Sequence, residues 1–404
     1  MDKKKITAII SICTIIIAII IASGVIHYLN NRIIVDNTLS VLKKDLDVEV
    51  YSKKKISDYI SSIKGKIIED KKINTERLGE QNIHFLYYDK KKRKKIGTFK
   101  INVKDKEPPL IWLAEDHYVK EKSEINLAES IMCVDNYDKK PNCKIEGEFD
   151  INTPGDYELK YTAIDKNKNK SEINFTLHVI AENTEKKKAR NIEKTQFQEI
   201  VENHNNENAE VGIDVSKWQG NIDFKKVKKA GASFVMIRIG SQKGIDGEYI
   251  LDPYFEKNIK SALEEDLKVG IYFYSYADSE KEAEKQADWV IEEVKQYNLQ
   301  LPIVFDWECF DNLNEMELSL FDLNKVAESF LKKIEKKGYN AMLYGSKNYL
   351  NAIWKYNNYN VWLAHYTKET DYNSDYVMWQ LCQDGRIDGI KGDVDINILY
   401  KKKE

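Results

Sequence analysis

Strand-like and helical patterns alternate along the second half of the chain, and this alternation restricts its fold more than any other feature. Apolar runs of strand length begin at Val211, Ser233, Lys268 and Leu301, and helical periodicity covers residues 254–266, 279–295 and 320–337. Alternation of this kind predicts a parallel sheet with helices on its outside. About eight strands are expected before the C-terminus, with little helix between the last of them. We therefore predict an α/β fold, a TIM-like (β/α) barrel with a degraded final third, over residues 211–404.

Acidic residues occupy the predicted ends of these strands, where the reacting groups of such barrels lie. Asp214 comes late in the first strand, Asp306 and Glu308 close the fourth, and Asp395 lies in the last. Asp306 and Glu308 are two positions apart, so a strand would point both carboxyls to the same, inner face. Close carboxylates in a cavity repel each other, which raises the pKa of one and leaves the other ionised. This division into acid and base is what hydrolysis of a glycosidic bond needs.

Aromatic residues are frequent near these acids, and flat rings at strand ends suit stacking on sugar faces. They are Trp218, Tyr272, Tyr274, Trp307, Trp362, Tyr366 and Trp379. A core position is the alternative for each of them. A protease is disfavoured because the region contains a single histidine, His365, and neither an HExxH nor a GxSxG motif. The histidines of the chain are scattered and no CxxC is present, so neither a metal site nor a cofactor is expected.

Seven short strings occur in order in this region: GIDVSKWQG, FVMIRIG, VGIYFYSYA, FDWE, WLAHY, MWQ and GDVDIN. Together they resemble the glycoside hydrolase family 25 lysozymes, the muramidases of Chalaropsis type, over roughly the last half of the chain. The resemblance implies hydrolysis of the β-1,4 bond from N-acetylmuramic acid to N-acetylglucosamine in peptidoglycan. It also implies that Glu308 is the general acid and that Asp306 assists, as a nucleophile or by orienting the substrate's 2-acetamido group. Asp214 and Asp395 would line the site.

Substrate contacts follow in part from the same resemblance. It implies Tyr274, Trp379 and Gln380 as subsite residues, and the aromatic cluster adds Trp218, Trp362 and Tyr366. One motif departs from the family pattern, since many members carry KxTEG after the second strand and this chain reads RIGSQKG. The glutamate of that motif is missing, which leaves the contacts there undefined. Cys309 is interpreted as a buried small hydrophobe, with a disulfide to Cys382 as the alternative.

The N-terminus contains an uncharged apolar segment, residues 6–26, that is long enough to span a bilayer as a helix. Three lysines precede it, and the positive-inside bias would keep them in the cytoplasm. We therefore predict a cytoplasmic tip and membrane anchor at residues 1–32, in a single-pass protein of the cell membrane with its later domains extracellular. A cleaved signal peptide is the alternative, because Ala22-Ser23-Gly24, near the end of the apolar segment, resembles a small-residue cleavage site, and cleavage would give a secreted protein.

A repeat offset by 76 residues lies between this segment and the barrel. Gly79 corresponds to Gly155, and apolar residues alternate in both copies, which predicts half-buried strands joined by a polar turn. The second copy resembles the bacterial immunoglobulin-like modules of wall-facing surface proteins. We predict two small all-β immunoglobulin-like sandwiches, at residues 33–104 and 105–181, and a charged, partly helical linker at residues 182–210.

Two further features of the repeats bear on their surroundings. Cys133 and Cys143 could form a disulfide outside the membrane, and the sequence leaves this open. The basic run at residues 90–95 is interpreted as a solvated hairpin tip, with contact to anionic wall polymers or lipid headgroups as the alternative. The net charge of −3 disfavours nucleic acid as a partner.

These features together predict a membrane-anchored cell-wall lysozyme whose stalk spaces the barrel from the bilayer, so that the barrel reaches peptidoglycan. One alternative is an inactive wall-binding surface protein, which would lack Asp306 or Glu308, and both are present. Another is a related glycan hydrolase such as an N-acetylglucosaminidase. A family 18 chitinase is disfavoured because the DxxDxDxE motif is absent.

Overall fold

The computed structural model describes residues 34–35, 40–42, 46–112, 117–123, 132–181, 194–309, 313–355 and 358–401. Two compact units divide the chain, Met1–Lys106 and Glu107–Glu404. The apolar segment at residues 6–26 lies outside the described residues, and its role as an anchor stays a prediction. Among the residues that are described, no helix is both long enough and apolar enough to span a bilayer.

The first unit is an all-β module in its described part. Its strands are β1 Ile34–Val35, β2 Ser40–Leu42, β3 Asp47–Glu49, β4 Ile60–Ile63, β5 Gly65–Ile67, β6 Gly79–Asp89 and β7 Lys94–Lys104. The long antiparallel hairpin β6–β7 is its centre, with β5 against β6 and both β1 and β3 against β7. Every second residue of the hairpin is the less exposed one, and Phe85, Tyr87 and Phe99 are buried. The predicted period of two therefore holds, because alternate residues of a strand face opposite sides of the sheet.

The second unit begins with another β module, formed by residues 110–180. Its strands are β8 Leu110–Trp112, β9 His117–Lys120, β10 Met132–Val134, β11 Asn142–Glu146, β12 Gly155–Ile164 and β13 Lys170–Ile180. Four of them form a sheet in the order β11-β12-β13-β9, and β8 pairs with β10. The disulfide that the sequence left open is present between Cys133 and Cys143. Whether either β module is immunoglobulin-like stays a prediction.

The two hairpins confirm the predicted repeat in their geometry. Gly79 pairs with Val103 in β6–β7, and Gly155 pairs with Val179 in β12–β13. The turns also match, because Lys92 and the residue 76 positions later, Lys168, both adopt a left-handed backbone with φ of 56° and 72°. Equivalent residues thus have equivalent partners in the two copies.

The rest of the second unit alternates strands and helices. The strands are β14 Ala209–Val215, β15 Phe234–Gln242, β16 Tyr249–Leu251, β17 Lys268–Tyr274, β18 Ile303–Asp306, β19 Ala341–Ser346, β20 Asn360–Ala364, β21 Met378–Gly385 and β22 Val394–Tyr400. The helices are α1 Phe197–His204, α2 Phe224–Lys229, α3 Phe255–Glu264, α4 Glu280–Val294, α5 Leu313–Met316, α6 Leu320–Lys336 and α7 Lys347–Ala352. Side-chain hydroxyls of Ser279, Ser319 and Ser346 accept backbone N–H bonds at the starts of α4, α6 and α7. Each serine satisfies a donor that the first helical turn leaves unpaired.

Eight of the described strands close into a ring. Parallel pairing runs from β14 through β15, β17, β18, β19 and β20 to β21. β22 then lies antiparallel to both β21 and β14 and completes the ring. The α/β class is confirmed, but the antiparallel last strand differs from an all-parallel (β/α) barrel. The difference has a simple reason: antiparallel neighbours need only a short connection, whereas parallel ones need a crossover.

Alternate side chains of the ring form two separate cores. Met236, Val304, Met342 and Met378 fill the interior of the ring. The outer face packs against the helices, where α4 contributes a buried stripe of Ala283, Ala287, Val290 and Val294. Because the two cores take alternate residues of each strand, the register of a strand decides which side chains reach the lumen.

The predicted linker is in part a component of the barrel. Phe197 on α1 is only 2% exposed and lies in the outer core, and the N–H of Phe197 donates to the carbonyl of Arg386 at 2.9 Å. Strand β14 begins at Ala209, earlier than expected. The helix expected in part of residues 182–210 is thus present as α1, but its packing on the barrel was not expected, and the start of the barrel at residue 211 was placed too late.

Phe197→Ala should therefore destabilise the barrel by about 3–5 kcal/mol, the usual cost of removing a buried phenylalanine side chain. Urea unfolding followed by tryptophan fluorescence measures this in the second unit alone, because every tryptophan of the chain lies after residue 111. Gln198→Ala, at an exposed position of the same helix, is the control. A free energy of unfolding equal to that of the control would contradict this prediction and indicate that α1 is part of the linker.

Candidate active site

The predicted acids meet at the end of the ring where the parallel strands finish. Asp214 lies near the end of β14, and Asp306 is the last residue of β18. Because β22 is antiparallel, its beginning reaches the same end, and Asp395 pairs directly with Asp214 across the ladder. Glu308 follows two residues after β18 and is exposed at this end of the barrel, while the intervening Trp307 is buried in the outer core.

Two amide side chains hold the buried Asp214. Its Oδ2 accepts hydrogen bonds from Asn397 Nδ2 at 2.8 Å and from Gln380 Nε2 at 2.9 Å. The orientation of Asn397 is determined by Trp362, whose indole Nε1–H donates to Asn397 Oδ1 at 2.8 Å. An indole N–H is a donor only, so the amide must turn its NH₂ group toward the carboxylate. Tyr344 does the same for Gln380, because its hydroxyl donates to Gln380 Oε1 at 2.9 Å.

Burial and mutual charge determine the protonation of the Asp214–Asp395 pair. Burial and the neighbouring Asp214 charge raise the pKa of Asp395 to about 9. Burial also raises the pKa of Asp214, but the hydrogen bonds from Asn397 and Gln380 oppose that shift by stabilising the ionised form. Of the two carboxyls, Asp395 therefore holds a proton more strongly, and the amide donors favour the ionised form of Asp214.

Asp306 and Glu308 form a second pair, linked by a hydrogen bond between their carboxyl groups. Asp306 is 4% exposed and its Oδ1 is buried without a hydrogen-bond partner. Burial, followed by the charge of Glu308, raises the pKa of Asp306 far above its ordinary value. Burial of the Glu308 carboxyl raises its pKa as well, although the bond to Asp306 opposes the shift. The pKa values of both carboxyls are thus raised, with the stronger shift on the more deeply buried Asp306, whereas the sequence analysis expected one of the two to stay ionised.

Three residues that the sequence analysis did not select complete the site: Asn397, Tyr344 and Arg238. The guanidinium of Arg238 on β15 bonds Asp252 Oδ2 through Nε at 2.9 Å and through a terminal nitrogen at 2.8 Å. Its charge lowers the pKa of Asp306 and so opposes the effect of burial. Asn397 had a usable signal, since it lies two positions after Asp395 and therefore on the same face of the strand.

The predicted substrate-binding residues divide into accessible and inaccessible groups. Trp218 is 76% exposed, Tyr366 is 48% exposed, and Tyr274 is half-buried at the end of β17. Trp362 and Trp379 are almost fully buried, which corrects their assignment to sugar stacking. Trp362 faces the inner core, and Trp379 faces the outer core with its Nε1–H bonded to the carbonyl of His365 at 2.8 Å.

Gln380 also has a different role from the one expected. Its Nε2 donates to Asp214 and, at 3.3 Å, to Asp395, while its Oε1 accepts from Tyr344 and, at 3.1 Å, from Tyr366. An amide side chain has two donors and two acceptor lone pairs, so its bonding capacity is used within the protein. Gln380 thus orients the acids and has no bond left for substrate.

The two cysteines of the barrel carry no disulfide, so the alternative bond between Cys309 and Cys382 does not form. The thiol of Cys309 is buried and donates to the carbonyl of Ser275 at 3.2 Å. Burial raises the pKa of Cys309 to about 12, which keeps the sulfur protonated at neutral pH. A thiol in this state is a poor nucleophile, in agreement with its interpretation as a small buried side chain.

Comparison with known proteins identifies a match to the barrel. The model of "Glycosyl hydrolases family 25" matches residues 213–390. The uncharacterized protein YegX of Escherichia coli O6:H1 is 32% identical over 193 residues, which cover 46% of this chain and 68% of YegX. Lysozyme M1 of Streptomyces globisporus is 27% identical over 207 residues, which cover 46% of this chain and 66% of that lysozyme.

Among solved structures, the chain is similar to the modular autolysin LytC from Streptococcus pneumoniae in complex with a synthetic peptidoglycan ligand. The sequence identity is 28% and the TM-score is 0.41, over 48% of this chain and 47% of LytC. The chain thus spans about half the length of that autolysin.

The raised pKa of Asp395 predicts a pH-dependent effect of Asp395→Asn on stability. An aspartate whose pKa is about 9 when folded and 3.8 ordinarily stabilises the fold at low pH, and this contribution is lost as the pH rises toward 9. Asparagine does not ionise. The free energy of unfolding of the variant, relative to that of wild type, should therefore be higher at about pH 8 than at about pH 5. Urea unfolding at both pH values measures the difference. Asp388→Asn, at an exposed position, is the control, and an equal effect of both variants would contradict the prediction.

Proposed function

Because the chain belongs to glycosyl hydrolase family 25 and is a glycoside hydrolase, we propose that it is a cell-wall lysozyme. It hydrolyses the β-1,4 bond between N-acetylmuramic acid and N-acetylglucosamine in peptidoglycan, with Glu308 as general acid. Support for this substrate comes from the similarity to lysozyme M1 of Streptomyces globisporus.

The observation that carries the proposal is the hydrogen-bonded pair of one buried and one exposed carboxyl at the end of β18. Only the exposed Glu308 is open to a glycosidic oxygen from solvent, so it is the group that delivers the proton to the leaving sugar. Burial raises the pKa of Glu308, which is the direction that a general acid requires. Substrate that covers Glu308 removes water from it and favours this protonated form further.

The burial of Asp306 supports an indirect role for that residue. A carboxyl that is 4% exposed is better suited to share a proton with Glu308 and to orient the substrate's 2-acetamido group than to attack the sugar. In its ionised form, which the bonds from Asn397 and Gln380 favour, Asp214 would add negative charge near the positive charge that develops on the sugar ring during bond cleavage. The protonated Asp395 holds Asp214 without adding a second charge.

Aromatic rings at the open end supply the binding surface for the glycan. Trp218 is the most exposed of them, and Tyr366 is fixed by its bond to Gln380 while a large part of its ring remains accessible. Rings of this kind bind sugars through their apolar faces. We propose that Trp218, Tyr366 and Tyr274 form the subsites.

The cellular location follows from the sequence alone. We propose that residues 6–26 hold the protein at the cell membrane with its domains on the extracellular side, where peptidoglycan lies. The first β module, with its exposed lysines in the turn after β6, follows this segment in the chain and would then also be extracellular. Contact of this turn with anionic wall polymers is part of the proposal.

Glu308→Gln should abolish hydrolysis of purified peptidoglycan by the full chain. Loss of a general acid lowers kcat by about 10²–10⁴-fold. Analysis of the new reducing ends identifies the cleaved bond: reducing N-acetylmuramic acid supports the muramidase, and reducing N-acetylglucosamine supports the N-acetylglucosaminidase instead. Glu264→Gln, at an exposed position at the end of α3, is the control and should keep full activity.

One outcome of this experiment would contradict the proposed hydrolysis. A wild-type chain that binds peptidoglycan and releases no fragments would support the inactive wall-binding protein and would remove the assignment of Glu308.

Trp218→Ala should raise KM for peptidoglycan by about 10-fold with little change in kcat. The indole is 76% exposed, so its loss removes a stacking surface and leaves the acid cluster intact. Aromatic stacking is worth about 1–3 kcal/mol in other ligand classes, which corresponds to this range of affinity. Steady-state kinetics on solubilised glycan strands separates the two constants. Phe149→Ala removes another exposed ring, 41% accessible, in the second β module and should leave KM unchanged.

A further inference from the structure

The second β module contacts the barrel beside the segment that connects Glu308 to helix α6. Val134 of β10 is 3% exposed and belongs to the same apolar core as the helices of the barrel. Leu110 and Trp112 of β8 pack against that core. The module and the barrel belong to one compact unit, which differs from the free spacer that the sequence predicts.

The first contact completes the N-terminus of α6. A helix begins with backbone N–H groups that have no partner within the helix. Ser319 Oγ accepts the N–H of Asp322 at 3.1 Å, which leaves the two N–H groups before it. The N–H of Leu320 donates to the carbonyl of Asp135 at 2.8 Å, and that of Phe321 to the carbonyl of Asn136 at 3.3 Å. Both acceptors belong to the β module, so the module supplies what the barrel's own residues do not.

The loop that supplies these carbonyls is held in shape from within. We call residues 133–143 the disulfide loop, because the bond between Cys133 and Cys143 closes it. Asp135 Oδ1 accepts the N–H groups of Tyr137 at 3.0 Å and Asp138 at 2.6 Å. The N–H groups of this turn are thus bonded to the Asp135 carboxylate. The carbonyls of residues 135 and 136 remain directed at the start of α6.

Two ion pairs join the disulfide loop to the segment around the start of α6. Lys139 Nζ lies 3.1 Å from Asp322 Oδ2, and Lys140 Nζ lies 3.0 Å from Glu317 Oε1. Exposed ion pairs contribute little to stability. These two lie on both sides of Ser319 and help to orient the disulfide loop against the start of α6. The segment also carries Leu318, which is 8% exposed and belongs to the shared core.

A third contact reaches the residue that we propose as the general acid. The ring of Trp112 lies edge-on to Tyr349 of α7, with ring centroids 5.4 Å apart. The hydroxyl of Tyr349 donates to the backbone carbonyl of Glu308 at 3.4 Å. Trp112 therefore supports Glu308 through one intermediate ring.

We propose that the second β module contributes to the activity of the hydrolase. The disulfide loop and Trp112 position Glu308, and the segment that connects it to α6, against Asp306. Trp112 is a positioning residue, since it acts through Tyr349. This inference rests on the proposed glycan hydrolysis for its kinetic consequence, and its structural consequence is measurable without it.

The kinetic test uses the full chain with its disulfide intact. Trp112→Ala should lower kcat by about 10-fold with KM little changed, because a small displacement of the acid slows the chemical step more than binding. Trp112→Phe should restore most of the rate, since it keeps a ring against Tyr349. Tyr118→Ala, which removes a ring that is 58% exposed in the same module, is the control and should have wild-type kinetics.

The double variant Lys139→Ala/Lys140→Ala keeps the test decisive if Trp112→Ala fails to fold. Both lysines are exposed, so their removal leaves the cores intact, and kcat should fall about threefold. Wild-type kcat in the folded variants would overturn the inference.

Hydrogen exchange tests the same contact independently of activity. A thiol reductant opens the disulfide between Cys133 and Cys143, and the other cysteines that the structure describes, Cys309 and Cys382, are already reduced. Exchange in residues 317–323 should then become at least about 10-fold faster, while exchange in α4 stays the same. Unchanged exchange in residues 317–323 would overturn the inference whatever the enzymatic activity. A wild-type chain that does not hydrolyse peptidoglycan but shows the faster exchange would overturn the proposed function and leave the docking of the module standing.

Discussion

The burial of several carboxyl groups at one end of a closed ring is the constraint on which the site depends. An ionised carboxylate loses much of its hydration there, so each acid must gain donors or a proton. Asp214 gains two amide donors and Asp395 keeps its proton. The donors come from β21 and β22, and the arrangement therefore exists only when the last two strands close the ring. The antiparallel direction of β22 is part of this solution, because it brings Asp395 level with Asp214.

The aromatic residues of the barrel have two distinct functions that follow from their accessibility. The buried Trp362 and Tyr344 donate hydrogen bonds to amide oxygens and so determine which atom of each amide faces the acids. The exposed Trp218 has most of its surface accessible to solvent. A polar atom on a buried ring usually has a partner, and for Trp362 and Tyr344 that partner is the network around Asp214. The enrichment of aromatic residues near the acids thus reflects in part the electrostatics of the site.

The contact of the second β module with the barrel shows how two folds of different class combine in one unit. The helix α6 has its serine cap and acidic residue at the start, yet two of its N–H groups find acceptors only in the disulfide loop. Hydrogen bonds depend on the distance and angle between donor and acceptor, whereas contacts in the shared apolar core tolerate small shifts. The module and barrel are therefore joined more specifically than a flexible stalk would be.

The sequence by itself determined the features that depend on local pattern. Period-two runs predicted the hairpins, the repeat offset predicted their common register, and the helix patterns predicted α4 and α6 within about two residues. The spacing of Asp306 and Glu308, with the strand ends, predicted the acid cluster. Only the tertiary structure decided the roles of Gln380, Asn397 and Arg238, because a side chain's partners lie on other strands. It also decided that Trp379 faces the outer core, that α1 belongs to the barrel, and that the second β module caps α6, since burial and long-range contacts are properties of the packed chain and leave no local pattern.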